Sequence, residues 1–286
     1  MQDIQKITDA WGNWFAVNHN TACDFTASTN YSAQSWLDNY HENQVAATLQ
    51  ALNYDTNGSV VNGADYAYEL WYDNGTDVQQ SEQFTQSKTT QRSFTWSLTE
   101  ALEVGVTLSE EVGVPSVAKT SATVSVKLNL SSTQTTSTSD TQTWQVNSPV
   151  LVPPQKSVKC DMVINTASYQ VNYTAETLLS GYVAVWCRDQ VQGHYLWFYP
   201  IGWVFTDVIN NKLADASGYT LGGGGVIATA RGTFTGGQGL SVGVVTKEYP
   251  LRTTTASKDF QPIATHSIPS PGPIAGLAAA AKAAGR

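Results

Sequence analysis

Charge is what this chain has least of. Only 13% of its 286 residues are Asp, Glu, Lys or Arg, about half the usual share, and the formal net charge is -8. That balance excludes the basic footprint that non-specific nucleic-acid binding requires. Histidine is scarce too: His19, His41, His194 and His266 lie in four unrelated contexts, and no GxSxG, HExxH or DxDxDG pattern accompanies them. Glu110 and Glu111 are adjacent, so on a strand they point to opposite faces and do not make a paired acid and base. No enzymatic activity, cofactor or metal is expected. Cys23, Cys160 and Cys187 have no CxxC spacing, which fits neither a zinc site nor a disulfide framework. Cys160 and Cys187 read as small buried apolar residues, and one bridge with a spare thiol stays open. Long hydrophobic runs are also missing: Leu196–Phe205 is broken by Pro200 and Gly202 and is too short to cross a bilayer as a helix. The opening MQDIQKITDAWGNW has no basic lead and apolar core, so a secretory signal is not expected in this form.

What is present is a texture of aromatics and uncharged polar residues. Apolar residues reach 41% and aromatics 10%, enough for a sizeable core, while Ser, Thr, Asn and Gln take the place of charge, as in secreted β-proteins. Residues 1–55 hold the helical periodicity: Ile4, Ile7, Trp11 and Trp14, then Trp36, Tyr40, Ala47, Leu49 and Leu52, predicting two short helices. From Asp55 onward, Asn-Gly at 57–58 and 62–63 and Asp73–Gly75 punctuate Tyr-, Val- and Trp-rich runs, which predict strands joined by tight turns. Gln79–Gln91 is polar and suits an edge strand or a long extended connection. The Ser/Thr tract Ser131–Gln142 predicts an exposed strand, and Pro153 and Pro154 end its ladder. Gly222–Gly225 lacks a following GK[ST] and a helix, so it predicts a bend rather than a phosphate loop. Two strands, Val226–Phe234 and Leu240–Val245, are expected around the turn TGGQG. The tail beyond Arg252 has little to pack. Trp11, Trp14, Tyr31, Trp36 and Tyr40, with Tyr195, Trp197, Tyr199 and Trp203, are the aromatics expected to supply a receptor surface, since a ring with a polar tip stacks on sugars or sits at a headgroup layer.

The strongest pattern runs from Leu98 to Leu130. On its first arm Leu102, Val104, Val106, Leu108, Val112 and Val114 alternate with Glu103, Gly105, Thr107, Ser109, Glu111 and Gly113. On its second, Ala122, Val124, Val126, Leu128 and Leu130 alternate with Lys119, Ser121, Thr123, Ser125, Lys127 and Asn129. Alternate side chains of a strand point to opposite faces, so this is a hairpin with one oily and one wet side. A strand pair packed on an ordinary core satisfies that pattern, and so does a membrane barrel. Each arm is about 13 residues, longer than the roughly 9–11 that cross a bilayer as a tilted strand, and its small polar face suits a water-filled lumen. Glu110 breaks the parity, which requires a bulge or a position beyond the hydrocarbon.

Residues 74–158 resemble the pore-forming module of aerolysin-type β-pore-forming toxins, in the epsilon-toxin and mosquitocidal-toxin branch and its hydralysin-like and natterin-like relatives. The pieces, in order, are NGTDVQQSEQFTQS, SFTWSLTEALEVGV, GVPSVAKTSATVSVKL, DTQTWQV and SPVLVPPQKSVK. The family often has Gly where this chain has Ala101, and Glu-Gly where it has Lys119 and Thr120. The resemblance implies a mainly β, elongated architecture of long antiparallel strands with a small α-containing head, secreted or released before it reaches the target-cell membrane. It implies residues 1–70 with 188–222 as a receptor-binding head and 71–98, 131–187 and 223–252 as central β-domains. It further implies 99–130 as the insertion hairpin and 253–286 as a tail or activation segment, with Lys247, Arg252 and Lys258 as possible cleavage sites. The partners are then a target-cell membrane, a glycan, lipid or protein receptor, and further copies of the chain in a ring. Leu102, Val104, Val106, Leu108, Val112, Val114, Ala122, Val124, Val126 and Leu128 would face lipid. Glu103, Thr107, Glu111, Lys119, Thr123, Ser125 and Lys127 would face the lumen, and cysteines at Thr107 and Ser125 would cross-link the arms. Release of the hairpin is expected at limited cost. The competing reading is a secreted carbohydrate- or surface-binding β-protein that never inserts.

Overall fold

The computed structural model describes residues 2–55, 57–105, 107–115, 125–252 and 261–269. It is a mainly antiparallel β-protein whose long strands run through two compact units, one made of 1–58, 95–137 and 170–234, the other of 59–94, 138–169 and 235–286.

The first unit opens with α1 (Ile4–Asn18). The Asp3 carboxylate caps it by accepting from the backbone N–H groups of Gln5 at 2.7 Å and Lys6 at 3.2 Å, satisfying donors that a helix start leaves open. Ile4, Ile7, Trp11 and Phe15 form its buried stripe. The second helix expected from periodicity is not formed. Ser35–Asn43 is a 3-10 segment broken at Tyr40, and Ala47, Leu49 and Leu52 lie in β2 (Ala46–Tyr54), paired in register with β8 (Lys156–Ser180). A partner strand outweighs a helical spacing of only a few residues. The head sheet has the order β1 (Cys23–Ala27), β9 (Tyr182–Val191), β10 (His194–Pro200), and α2 (Ile201–Asn211) follows it. The glycine run is a two-residue turn joining β11 (Tyr219–Gly222) to β12 (Gly225–Pro250), with Gly223 and Gly224 at φ 61° and 79°. Two successive positive φ values define the turn that matches strand twist and that side chains disfavour.

In the second unit, β3 (Ser59–Asn74) pairs with β8, and Asn62 and Gly63 lie inside β3 rather than at a turn. β4 (Gln80–Glu100) lies between β12 and β7 (Thr135–Val152), so the Gln-rich stretch is an interior strand. Its polar residues find partners there: Thr89 Oγ1 and Thr143 Oγ1 are 3.2 Å apart. The Ser/Thr tract is strand from Thr135, as its composition suggested. TGGQG is no turn, because β12 continues straight through it. A side chain at Gly239 would meet Trp144 Cζ2 at 2.5 Å, so that glycine is there to admit the indole. Phe84, Trp144, Val158, Met162, Ile164 and Val242 belong to the core of this unit. Part of the tail packs as well, with β13 (Ala264–Pro269) pairing along Gly243–Glu248 of β12.

The β3–β4 turn hangs on one buried amide. Asn74 Nδ2 lies within 2.8–3.1 Å of the carbonyls of Val78, Val152 and Pro153, while its Oδ1 accepts from Thr76 N at 3.0 Å and Thr76 Oγ1 at 2.6 Å. Removing it strands several buried polar groups, so Asn74→Ala is expected to lower stability by about 2–3 kcal/mol in urea denaturation.

Candidate functional site

Among the described residues, the two arms of the sequence analysis pair as strands over one short stretch. β5 (Ser109–Gly113) and β6 (Ser125–Asn129) pair antiparallel, with Ser109 opposite Asn129, Glu110 opposite Leu128 and Gly113 opposite Ser125. The first arm upstream of this is not a strand at residues 101–105 and 107–108, and Gly105 has φ 71°. Thr107 and Ser125 are therefore not opposite each other. The parity nonetheless survives. Leu102, Val104, Leu108, Val112 and Leu128 are buried, Val114 and Val126 half-buried, while Glu103, Thr107, Glu111, Ser125 and Lys127 are exposed. Val106, Lys119, Ala122, Thr123 and Val124 lie outside the described residues. Glu110 keeps the apolar parity and is half-buried, in register with Leu128.

The excursion has a definite seat. Leu102 N–H donates to Leu130 O at 2.9 Å, and Leu130 N–H donates to Leu108 O at 2.8 Å, so the chain between Leu102 and Leu108 makes an excursion between two bonds to one residue. At the apex, Glu103 O accepts from Ile4 N at 2.8 Å and lies 3.4 Å from the Tyr219 hydroxyl, which donates to Gln2 O at 2.9 Å. Burial pushes the Tyr219 phenol above its ordinary value, so it acts as a neutral donor. Val104 beside Glu103 is wholly buried. The far strand is tied through Tyr54, whose hydroxyl accepts from Trp96 Nε1 at 2.9 Å and donates to Gly113 O at 3.0 Å. Glu111 accepts from the Ser125 hydroxyl across the strands.

The aromatic candidates divide. Trp11 and Tyr31 are core residues, 1% and 0% exposed, and are corrected from the proposed surface. Trp11 packs on Phe15 and Tyr199 and donates to Asp207 Oδ2 at 3.0 Å, and the Tyr31 hydroxyl donates to Tyr182 O at 2.7 Å. Trp14, Trp197 and Tyr199 are half-buried, and Trp203 stands exposed on α2. Trp36, Tyr40 and Tyr195 do come together. They line an open groove of about 560 Å³ with Asn39, Trp186 and His194. Trp186 is its floor, stacked on Tyr195 at 5.7 Å and 12° and edge-on to Trp36 at 4.9 Å. The sequence analysis missed Trp186, which sits in the continuous apolar run Tyr182–Cys187 and has no period-two signal to single it out.

Two cleavage candidates are tied down. Lys247 lies within β12, 3.7 Å from Asp161 Oδ2. The Arg252 guanidinium bonds Asp73 at 2.7 and 2.9 Å and lies over the Trp71 ring at 4.2 Å, and Arg252 N–H donates to Ser157 Oγ. Of the two, Lys247 has strand backbone paired with Thr265, which resists a protease, and Arg252 is held by its side chain and N–H. Lys258 lies outside the described residues.

Comparison with known proteins supplies the context. The family described as Clostridium epsilon toxin ETX/Bacillus mosquitocidal toxin MTX2 matches residues 39–258. A cytotoxin of Pseudomonas aeruginosa is 31% identical over 267 residues, covering 89% of this chain and 92% of its own length. A non-toxic crystal protein from Bacillus thuringiensis superposes with a TM-score of 0.65 at 13% identity, over 88% of this chain and 98% of that one. The Mpp75Aa1.1 β-pore-forming protein from Brevibacillus laterosporus gives 0.62 at 17% identity, over 96% and 97%. Family and fold together define the class, the aerolysin-like β-pore-forming toxins. Within that class the chain belongs to the epsilon-toxin and mosquitocidal-toxin family.

Because Leu102 is 1% exposed, Leu102→Ala is expected to cost about 2–5 kcal/mol in equilibrium denaturation. Thr107→Ala, on the wet side, should stay within about 0.5 kcal/mol.

Proposed function

We propose that the protein binds a cell surface through the aromatic groove, assembles with further copies of itself, and inserts residues 99–130 of each copy as a hairpin into one membrane barrel. The observation that carries this reading is the two-sidedness of residues 102–105, 107–114 and 125–128, whose even positions are buried or half-buried and odd positions exposed through strand and non-strand backbone alike. An ordinary core strand needs its alternation only where it is a strand. Here it extends over residues that are not paired at all, as if encoded for another conformation.

Energetics constrain the order of events. Leu102, Val104, Leu108, Val112, Leu128 and Leu130 are all buried, and each is worth about 1.5–3 kcal/mol against water. Exposing that face costs on the order of 10 kcal/mol, comparable to the stability of a whole domain, so release at limited cost is not tenable. The face must pass from protein to lipid without standing in water. A single hairpin in lipid leaves its edges unpaired, whereas a closed barrel pairs them, so assembly precedes or accompanies insertion. No helix among the described residues is long and apolar enough to cross a membrane, which leaves strands as the spanning elements in this reading. The tail is its activation segment and 1–58 with the groove its receptor-binding part, while secretion follows the family. No catalytic step is invoked.

The groove favours the second reading, a surface-binding protein that does not insert, and a protein of this fold is described as non-toxic. Dye-loaded vesicles made from receptor-bearing cell membranes separate the two. Intact or trypsin-treated protein should release dye, and Trp186→Ala should reduce binding at least tenfold and leakage with it. Binding without release, and without detergent-resistant oligomers, would establish the non-inserting protein instead.

A further inference from the structure

The pairing on either side of the excursion follows two different registers. Along β4 and β7, Thr95 lies beside Ser137 at 3.0 Å and Ser97 beside Thr135 at 3.3 Å, and Leu98 N–H bonds Gln134 O at 3.4 Å. Leu102 to Leu130 continues that series, four residues further on each strand. Leu108 to Leu130 instead begins the β5–β6 series, which runs on through Glu110 opposite Leu128. Leu130 is thus the junction, and the first arm carries six more residues than its ladder needs.

We propose that insertion removes this surplus: the excursion is drawn into the strand, β6 slides by six residues against the first arm, and the β4–β7 register extends to the tip. This rests on the insertion reading above. A slip of six is even, so it leaves every side chain on its own face, whereas an odd slip would turn the oily side into the lumen. In the extended register Leu102 stays opposite Leu130, Val104 comes opposite Leu128, Val106 opposite Val126 and Leu108 opposite Val124. Thr107 meets Ser125 and Gly105 meets Lys127 on the wet side. Glu110 leaves Leu128 and comes opposite Ala122.

That register also supplies the membrane-contacting band and its limits. On the lipid-facing parity the first arm reads Glu100, four apolar residues, Glu110. The residues between the glutamates, 101–109, number nine, and opposite them 123–131 present Val124, Val126, Leu128 and Leu130 to lipid. Roughly 9–11 tilted residues span the hydrocarbon, so both carboxylates fall at its edges. Glu100 is already held by the body of the protein, 3.3 Å from Arg231 Nε, which places the near edge where the hairpin departs. The extended register is thereby the one in which neither glutamate sits in hydrocarbon, and it accounts for Glu110 without a bulge.

The test is a pair of double variants, made with Cys23, Cys160 and Cys187 replaced by Ser in a background first shown to leak vesicles. Glu110→Cys with Leu128→Cys should cross-link in the free protein, bind membranes, release no dye, and recover leakage on reduction. Val104→Cys with Leu128→Cys should cross-link only in detergent-resistant membrane oligomers. If the first pair cross-links within membrane oligomers, or the locked protein leaks as well as its reduced form, the register change is wrong while insertion stands. If neither the background nor the unmodified protein leaks any receptor-bearing membrane, the insertion reading itself falls.

Independently of the hairpin, we infer that Cys23 and Cys187 form a closable thiol pair. They are register partners on β1 and β9, at the edge of a bulge between Cys23 and Phe25, and Arg188 N–H bonds Ala22 O at 2.8 Å, the pattern that flanks a non-hydrogen-bonded cross-strand pair. Such partners have Cα atoms about 4.5 Å apart with their side chains on one face, within the span of a disulfide. Cys187 is buried and Cys23 half-buried, so exchange starts at Cys23. Its thiolate attacks a small disulfide such as oxidised glutathione and expels one thiol. Cys187 then attacks the mixed disulfide and expels the second, so the two protein thiols lose two electrons and the reagent becomes two thiols. Burial pushes the Cys23 thiol up to about 11, so closure is slow at neutral pH and quickens as pH rises. Incubation of the full chain with oxidised glutathione should give a peptide link between Cys23 and Cys187 and a higher melting temperature than the reduced chain. Cys160→Ser should keep both effects and Cys187→Ser should lose both. A link through Cys160, or three free thiols after prolonged incubation at pH 9, would overturn it.

Discussion

Leu130 bonds two residues of the opposite arm, Leu102 and Leu108, and the functional half of the molecule depends on that arrangement. By closing a loop of backbone on a single residue it lets the chain store strand sequence without making strand. The excursion is tied to α1 and β11 through Ile4 N–H and the Tyr219 hydroxyl at the Glu103 carbonyl, and its oily face, Leu102, Val104 and Leu108, is buried. The cost of uncovering that face in water is what keeps the hairpin where it is.

The rest of the first unit supports this seat and carries the groove. The same β9–β10 sheet that packs α1 on one side presents Trp186 and Tyr195 on the other, where Trp36 of the 3-10 segment packs on Trp186. A contact made in the groove therefore lies on the sheet whose opposite face holds the helix that grips Glu103. In the second unit the long strands and the core around Trp144 and Met162 provide a frame that does not need to change. The Asn74 amide and the strand β13 close its turns and one strand edge.

Period-two alternation was legible because it is a local property, and among the described residues burial follows it through 102–105, 107–114 and 125–128, even where no strand forms. Register was not legible, since it depends on which carbonyl a given N–H meets, and Leu130 makes two bonds that no spacing announces. Trp11 and Tyr31 looked like surface aromatics because composition does not say which face of an element is covered; Phe15, Tyr199 and Tyr182 decide that. Gly63 and Gly239 looked like turn residues, but each is a glycine inside a strand where another side chain comes close. Helical spacing at Trp36–Leu52 failed against the pairing offered by β8.

The central claim is that residues 101–109 exchange a protein seat for a lipid one while keeping their parity. An environment-sensitive dye attached in turn at each of these nine positions, on protein bound to vesicles carrying a quencher in their acyl chains, tests it most directly. The account requires quenching at positions 102, 104, 106 and 108 and none at 103, 105, 107 and 109. A pattern without a period of two, or no quenching anywhere in the stretch while dye still leaks from the vesicles, would contradict it.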